Sequence, residues 1–288
     1  MLHFSSALGL FDQRASRTVA AIKMGRDDMS SPEIQNDSAS NTAGTVRVPQ
    51  VFVPFSEPVV PGVFLARRHR FLADLQLSDG GLVTAHCPNT GSLKSCLVPG
   101  SPALAWDSGN SKRKYRLTWI AVKLGTTWAG IDTGLPNRLV AQAIAAGAIP
   151  ALADYEVIER ERPMGASSRV DLLLSRNSDR CYVEVKNVTL VEHGVARFPD
   201  AITSRGLKHL CELEAMVRQG HRAAMVYVVQ RSDGRAFHPA WDIDPEYALR
   251  LGQVHAAGVE VYVLGTEVLE TGVAVTGLLP WTAHEENS

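Results

Sequence analysis

Over residues 1–48 the polar and apolar positions follow no period, and the run from Ser30 to Thr42 offers no repeating hydrophobic face. This segment is read as a disordered extension, with Met24 and Met29 as alternative starts. From Val63 onward the pattern alternates. Phe71 to Leu77, the turn Ser78-Asp79-Gly80-Gly81 and Leu82 to Ala85 carry the signature of a hairpin. Leu117 to Leu124, Gly125-Thr126-Thr127 and Trp128 onward carry a second. Short strands with few helical windows predict a small closed or nearly closed barrel over 49–130, because closure removes exposed strand edges.

Near Pro136 the period changes. Leu139, Val140, Ala143 and Ile144 fall on one face of a helix that Gly147 can end. Strands are predicted at Tyr155–Glu161, Val170–Leu174 and Tyr182–Val188. A helix from Ser204 to Gly220 follows, its apolar side formed by Leu207, Leu210, Cys211 and Met216. Ala223–Val229 reads as a strand, Asp244-Pro245 as a helix cap and first residue, and Val259–Leu264 as a last strand. The order predicts an α+β chain whose second domain, 131–288, has a mixed central sheet covered by helices.

Two features of this pattern carry chemistry. Residues two apart on a strand share a face, so Glu184 and Lys186 stand together over Val183 and Val185. Val170, Leu172 and Leu174 likewise leave Asp171 opposite the core. With only 175–180 between the strands, antiparallel pairing brings Asp171 beside Glu184. Adjacent carboxylates repel unless a cation lies between them, and Mg²⁺ or Mn²⁺ suits such a pair. Lys186 would stabilise an anionic transition state or orient an attacking hydroxide. Asp, a β-turn and Glu-x-Lys form the core of the PD-(D/E)xK nuclease pattern. A Glu-x-Lys on a strand is also the ordinary composition of a solvated ion pair.

The formal net charge of −1 hides an asymmetry: Gly62–Trp128 holds nine Lys or Arg against three Asp, a local +6. Such segregation is the footprint of a polyanion-binding module. Arg67, Arg68 and Arg70 beside Phe71, and Lys112, Arg113, Lys114 and Arg116 around Tyr115, interleave cations with rings as a nucleic-acid groove does. Solvated faces have the same composition. Apolar runs fall short of the roughly 20 residues of a membrane span. Cys87, Cys96, Cys181 and Cys211 form no CxxC pair and follow no secretory leader, so they are expected as buried thiols of a cytoplasmic protein. His86, Cys87 and Cys96 lack a fourth zinc ligand at sensible spacing.

The chain resembles the sugar fermentation stimulation protein A family of bacteria and archaea. The resemblance rests on Arg70–Asp74, His86-Cys87-Pro88-Asn89-Thr90-Gly91, Pro136-Asn137-Arg138-Leu139, Ser168–Asp171, Val183–Leu190 and Phe198–Leu210. It implies an OB-like barrel at 49–130, a PD-(D/E)xK-like domain at 131–288, DNA binding and a part in regulating sugar utilisation. It also implies Asp171 and Glu184 as metal ligands, Glu161 as a third acidic group, Lys186 as the catalytic-type lysine, and Arg138 among the nucleic-acid contacts. Where the family carries a glutamate on the helix after Arg138, this chain has Gln142. The expectation is a DNA-binding protein of low sequence specificity whose metal site cleaves phosphodiesters; a non-catalytic DNA-binding regulator and an RNA-directed enzyme are the rivals. Strandedness and oligomeric state stay open.

Overall fold

A computed structural model describes residues 51–165 and 168–283, so the reading of residues 1–48 lies outside the described residues. The alternating segment forms six strands: β2 (Val59–Arg68), β3 (Leu72–Leu77), β4 (Leu82–His86), β5 (Pro102–Asp107), β6 (Leu117–Leu124) and β7 (Thr127–Gly130), after a short β1 (Phe52–Pro54). Their order is β4-β3-β2-β5-β6-β7, and an additional β4–β6 pairing at His86 and Thr118 closes the sheet on itself. The barrel interior is fully buried Phe64, Leu75 and Trp119, with the Phe64 and Trp119 rings stacked 4.8 Å apart.

The second half, joined by β1, builds a seven-stranded sheet from β8 (Val157–Met164), β9 (Ser168–Arg176), β10 (Asp179–Val188), β13 (Arg222–Val229), β15 (Glu260–Leu269) and β16 (Gly272–Leu278). The order is β1-β16-β15-β13-β10-β9-β8. β10, β13 and β15 run parallel, while the outer strands pair antiparallel, so the sheet is mixed. β1 departs from the expected boundary: Phe52–Pro54 pairs with β16 although it was assigned to the barrel. Three residues with no visible alternation give no sequence signal, yet Val51, Val53 and Phe55 are buried against this sheet. β11 (Leu190–Glu192), β12 (Val195–Phe198) and β14 (Ala236–Pro239) form a small separate sheet that the pattern also did not reveal.

Apolar side chains of the sheet alternate between two layers. Leu172, Leu174, Val183, Val226 and Val228 pack with Leu139, Val140, Ala143 and Ile144 of α1 (Leu135–Ala145). Val170, Met225, Tyr227 and Val261 pack with Leu210, Leu213 and Met216 of α2 (Ser204–Arg218), and with Tyr247 and Leu251 of α3 (Pro245–Ala256). Capping fixes the starts of the latter two: Thr203 accepts from the Gly206 amide, and Asp244 accepts from those of Tyr247 and Thr203. One expectation fails on α2: Cys211 is exposed whereas Cys87, Cys96 and Cys181 are buried. His209 is buried too, because the inward face runs through 206, 209, 210, 213 and 216.

Candidate active site

The β9–β10 ladder runs in register from Asp179 opposite Arg176 to Val183 opposite Leu172, then stops. The next pair in that register is Glu184 and Asp171, the juxtaposition expected from the sequence. Here the strands part and side chains replace the ladder. Asp171 Oδ2 accepts the Val185 amide at 2.8 Å, and Oδ1 accepts Asn137 Nδ2 of α1 at 2.8 Å. Glu184 is buried; its Oε1 accepts Lys186 Nζ at 2.6 Å and the Nδ1 hydrogen of His209. Arg205 Nε reaches His209 Nε2 at 3.5 Å, so the imidazole bridges a cation and a carboxylate. Glu184 Oε2 is buried with no hydrogen-bond partner among the described residues.

The two carboxyl groups are driven apart in acidity. Burial, and then the Glu184 charge, hold Asp171 above the ordinary carboxylate range despite its two hydrogen bonds. Burial also pushes Glu184 up, but the His209 hydrogen bond and the Lys186 charge outweigh it and hold Glu184 below that range.

This pair opens into a cleft of about 460 Å³ shared by both halves of the chain. The barrel contributes Arg70 and the loop Asn89-Thr90-Gly91; Thr133 and Asn137 come from the start of α1, and Thr203 and Arg205 from the start of α2. Two helix N-termini thus border one cavity, each a favourable place for an anion. The barrel loop is clamped in place. Arg67 donates five hydrogen bonds, to the carbonyls of Arg70, Asn89, Gly91 and Ser92, at 2.6–3.1 Å. Asp200, on the segment before α2, accepts the Leu93 amide at 2.8 Å. Gly91 packs closely there: a Cβ would lie 2.8 Å from an Asp200 carboxylate oxygen, so a larger residue would have to displace that side chain.

The expected nucleic-acid residues separate into distinct groups. Arg70 lines the cleft. Arg67 does not serve as a phosphate contact, because its five donors are already taken by carbonyls. Arg68 pairs with Asp74 at 2.6 Å and Arg116 with Asp107 at 2.5 Å. Lys112 is exposed, Arg113 lies over Trp106 and Lys114 over Tyr115, and none of this loop lines the cleft. Arg138 borders a separate small depression with Phe55 and Trp106. Gln142 is exposed and outside the cleft. Glu161 is exposed, on the wall of a neighbouring depression that also touches Asp171. It does not join the carboxylate pair in a cluster: no group of three or more His, Cys, Asp or Glu among the described residues is placed to hold a metal.

The donors present fit a hard divalent cation that keeps its waters. Two carboxylates, one with an orphaned oxygen, suit Mg²⁺ or Mn²⁺, which leave positions for water and substrate phosphate. Asn137, Asp200 and His209 line the cleft and were not among the site residues read from the sequence. Only His209, four residues after Arg205 on α2, left a usable signal, the helical spacing itself.

The description "SfsA N-terminal OB domain" matches residues 65–131 and "Sugar fermentation stimulation protein RE domain" matches 134–272. A sugar fermentation stimulation protein homolog of Geotalea uraniireducens is 51% identical over 222 residues, covering 77% of this chain and 96% of the relative. That of Rhodospirillum rubrum is 50% identical over 242 residues, covering 80% and 99%. A solved structure, Pyrococcus furiosus SfsA in complex with Ca²⁺, superposes with a TM-score of 0.72 at 28% identity, covering 79% of this chain and 97% of that one. Family models that together span the barrel and the mixed sheet, and relatives matched along almost their whole length, establish that this chain belongs to the sugar fermentation stimulation protein (SfsA) family.

Proposed function

We propose that this chain is a DNA-binding protein of low sequence specificity that cleaves phosphodiesters at a divalent cation held by Asp171 and Glu184. The observation that carries the reading is the buried, unpartnered Oε2 of Glu184, a residue lining the same cleft as Asp171. A buried anionic oxygen without a partner costs free energy, and a cation removes that cost. Ca²⁺ in the Pyrococcus relative supports the same chemistry. Bound there, Mg²⁺ or Mn²⁺ would polarise a phosphodiester and acidify a water.

The chain's own groups supply the rest. Asn137 and the Val185 amide fix the Asp171 carboxylate, and His209 fixes Glu184 Oε1. Lys186 Nζ, held at Glu184, is placed to offset charge building on the phosphate. Arg70 and the two helix starts meet the backbone, which gives affinity without reading bases. The family's name supports a link to sugar utilisation, and a cytoplasmic setting belongs to the same proposal; among the described residues no helix is long and apolar enough to cross a membrane. Incubating plasmid, single-stranded DNA and RNA with Mg²⁺ or Mn²⁺ tests the proposal. Cation-dependent cutting of DNA that Asp171→Ala and Lys186→Ala abolish is expected. Binding without cutting would leave a non-catalytic regulator, and a preference for RNA would move the substrate.

A further inference from the structure

The cleft does not end at Asp171. A second depression of about 400 Å³ lies beyond it, and Asp171, Arg205 and His209 border both. Its other walls include Arg169, Lys208 and Glu161. The spacing explains why these cations converge. Arg169 stands two residues before Asp171 on β9 and so shares its face, while Arg205, Lys208 and His209 recur at helical spacing on α2. Arg169 is exposed and uses one guanidinium nitrogen on the Glu161 carbonyl. Arg205 is exposed and uses Nε on His209. Lys208 lies 3.6 Å from Glu212.

Resting on the phosphodiester reading above, we infer that this depression is a second backbone subsite, which Arg169, Arg205 and Lys208 provide for a phosphate of the same strand beyond the scissile one. The strand then enters past Arg70, crosses the carboxylate pair and leaves over α2. Cations stand on both sides of the cutting point. Neither side requires a chain end, so the protein acts on internal bonds.

The test uses the full chain, with Ca²⁺ for binding and Mg²⁺ or Mn²⁺ for cutting. A closed single-stranded circle should be bound as tightly as a linear oligonucleotide of the same composition, and should be cut. The double variant Arg169→Ala/Lys208→Ala should bind the circle more weakly, with a slope of log affinity on log salt shallower by roughly 1 to 1.5. Arg176→Ala, an exposed cation on β9 beyond the last core residue Leu174, is the control and should match the parent. Circular dichroism and melting of each variant exclude misfolding. A circle left intact while linear DNA is shortened from its ends overturns the inference, as does a double variant with the parent's salt slope; either result leaves the proposed function standing. A parent that neither binds nor cuts DNA removes both.

Discussion

Arg67 shows how a residue's type can point to one role and its geometry to another. An arginine beside Arg68, Arg70 and Phe71 reads as a phosphate contact, but its guanidinium is the hub of a main-chain knot. The knot holds the turn in which His69 and Arg70 both adopt left-handed conformations, at φ 52° and 64°. That strain is tolerated because Arg67 grips the Arg70 carbonyl twice, and it delivers the Arg70 side chain to the cleft. Replacing Arg67 by Lys keeps the charge but cannot span the four carbonyls. Urea unfolding of Arg67→Lys should show a loss of about 2–3 kcal/mol. A loss under about 0.5 kcal/mol, the range of ordinary surface substitutions, would mean the knot is not holding the turn. The juxtaposition of Asp171, Glu184 and Lys186, by contrast, is legible in the sequence, since strand period and turn length set which side chains meet.

At the scale of elements, the helices and several long strands could be read because each carries many periodic positions, but β5 was not read and β16 follows the strand read as the last. β1, β11, β12 and β14, of three or four residues, could not. The loop from Asn89 to Cys96 has no pattern either, yet it forms the barrel's wall of the cleft through Asp200 and the Thr189 carbonyl, which accepts from Ser95 Oγ at 3.0 Å. Asp200→Ala should therefore speed amide hydrogen exchange at Leu93 and weaken DNA binding, at a stability cost of about 1–2 kcal/mol. Unchanged exchange would show that the loop is held elsewhere. Farther from the cleft, Arg222 at the start of β13 grips Glu260 at the start of β15 with two hydrogen bonds of 2.7 Å. Burial raises the Glu260 carboxyl, but the Arg222 and Tyr262 hydrogen bonds outweigh it and hold it below the ordinary range. Its stabilisation is then complete above that range and lost as pH falls through the lowered value. Parent and Glu260→Gln melting temperatures should differ at neutral pH and converge in acid. A gap that widens in acid would reverse the sign.

Across the whole molecule, the segment charge of +6 singles out Gly62–Trp128 without showing which of its cations reach the cleft. The basic loop 112–116 is turned to its own aromatic and acidic neighbours, whereas Arg70 of the barrel and Arg205 of α2 line the cavity. Spacing along the chain cannot show this, because the cleft is assembled from segments more than a hundred residues apart. Lys112→Ala/Lys114→Ala should consequently leave cutting rates near those of the parent while Arg70→Ala lowers them; the opposite ranking would move the substrate onto the barrel's outer face.

The most direct test of the central claim is the affinity of parent and Asp171→Asn for one DNA at fixed ionic strength, in EDTA and then in Mn²⁺. In EDTA the Asp171 charge repels the backbone, so the variant should bind as well as the parent or better. In Mn²⁺ the order should reverse, because only the parent keeps both carboxylates to hold a cation against the phosphate. The same metal dependence in both proteins would contradict the account, since Asp171 would then hold no cation.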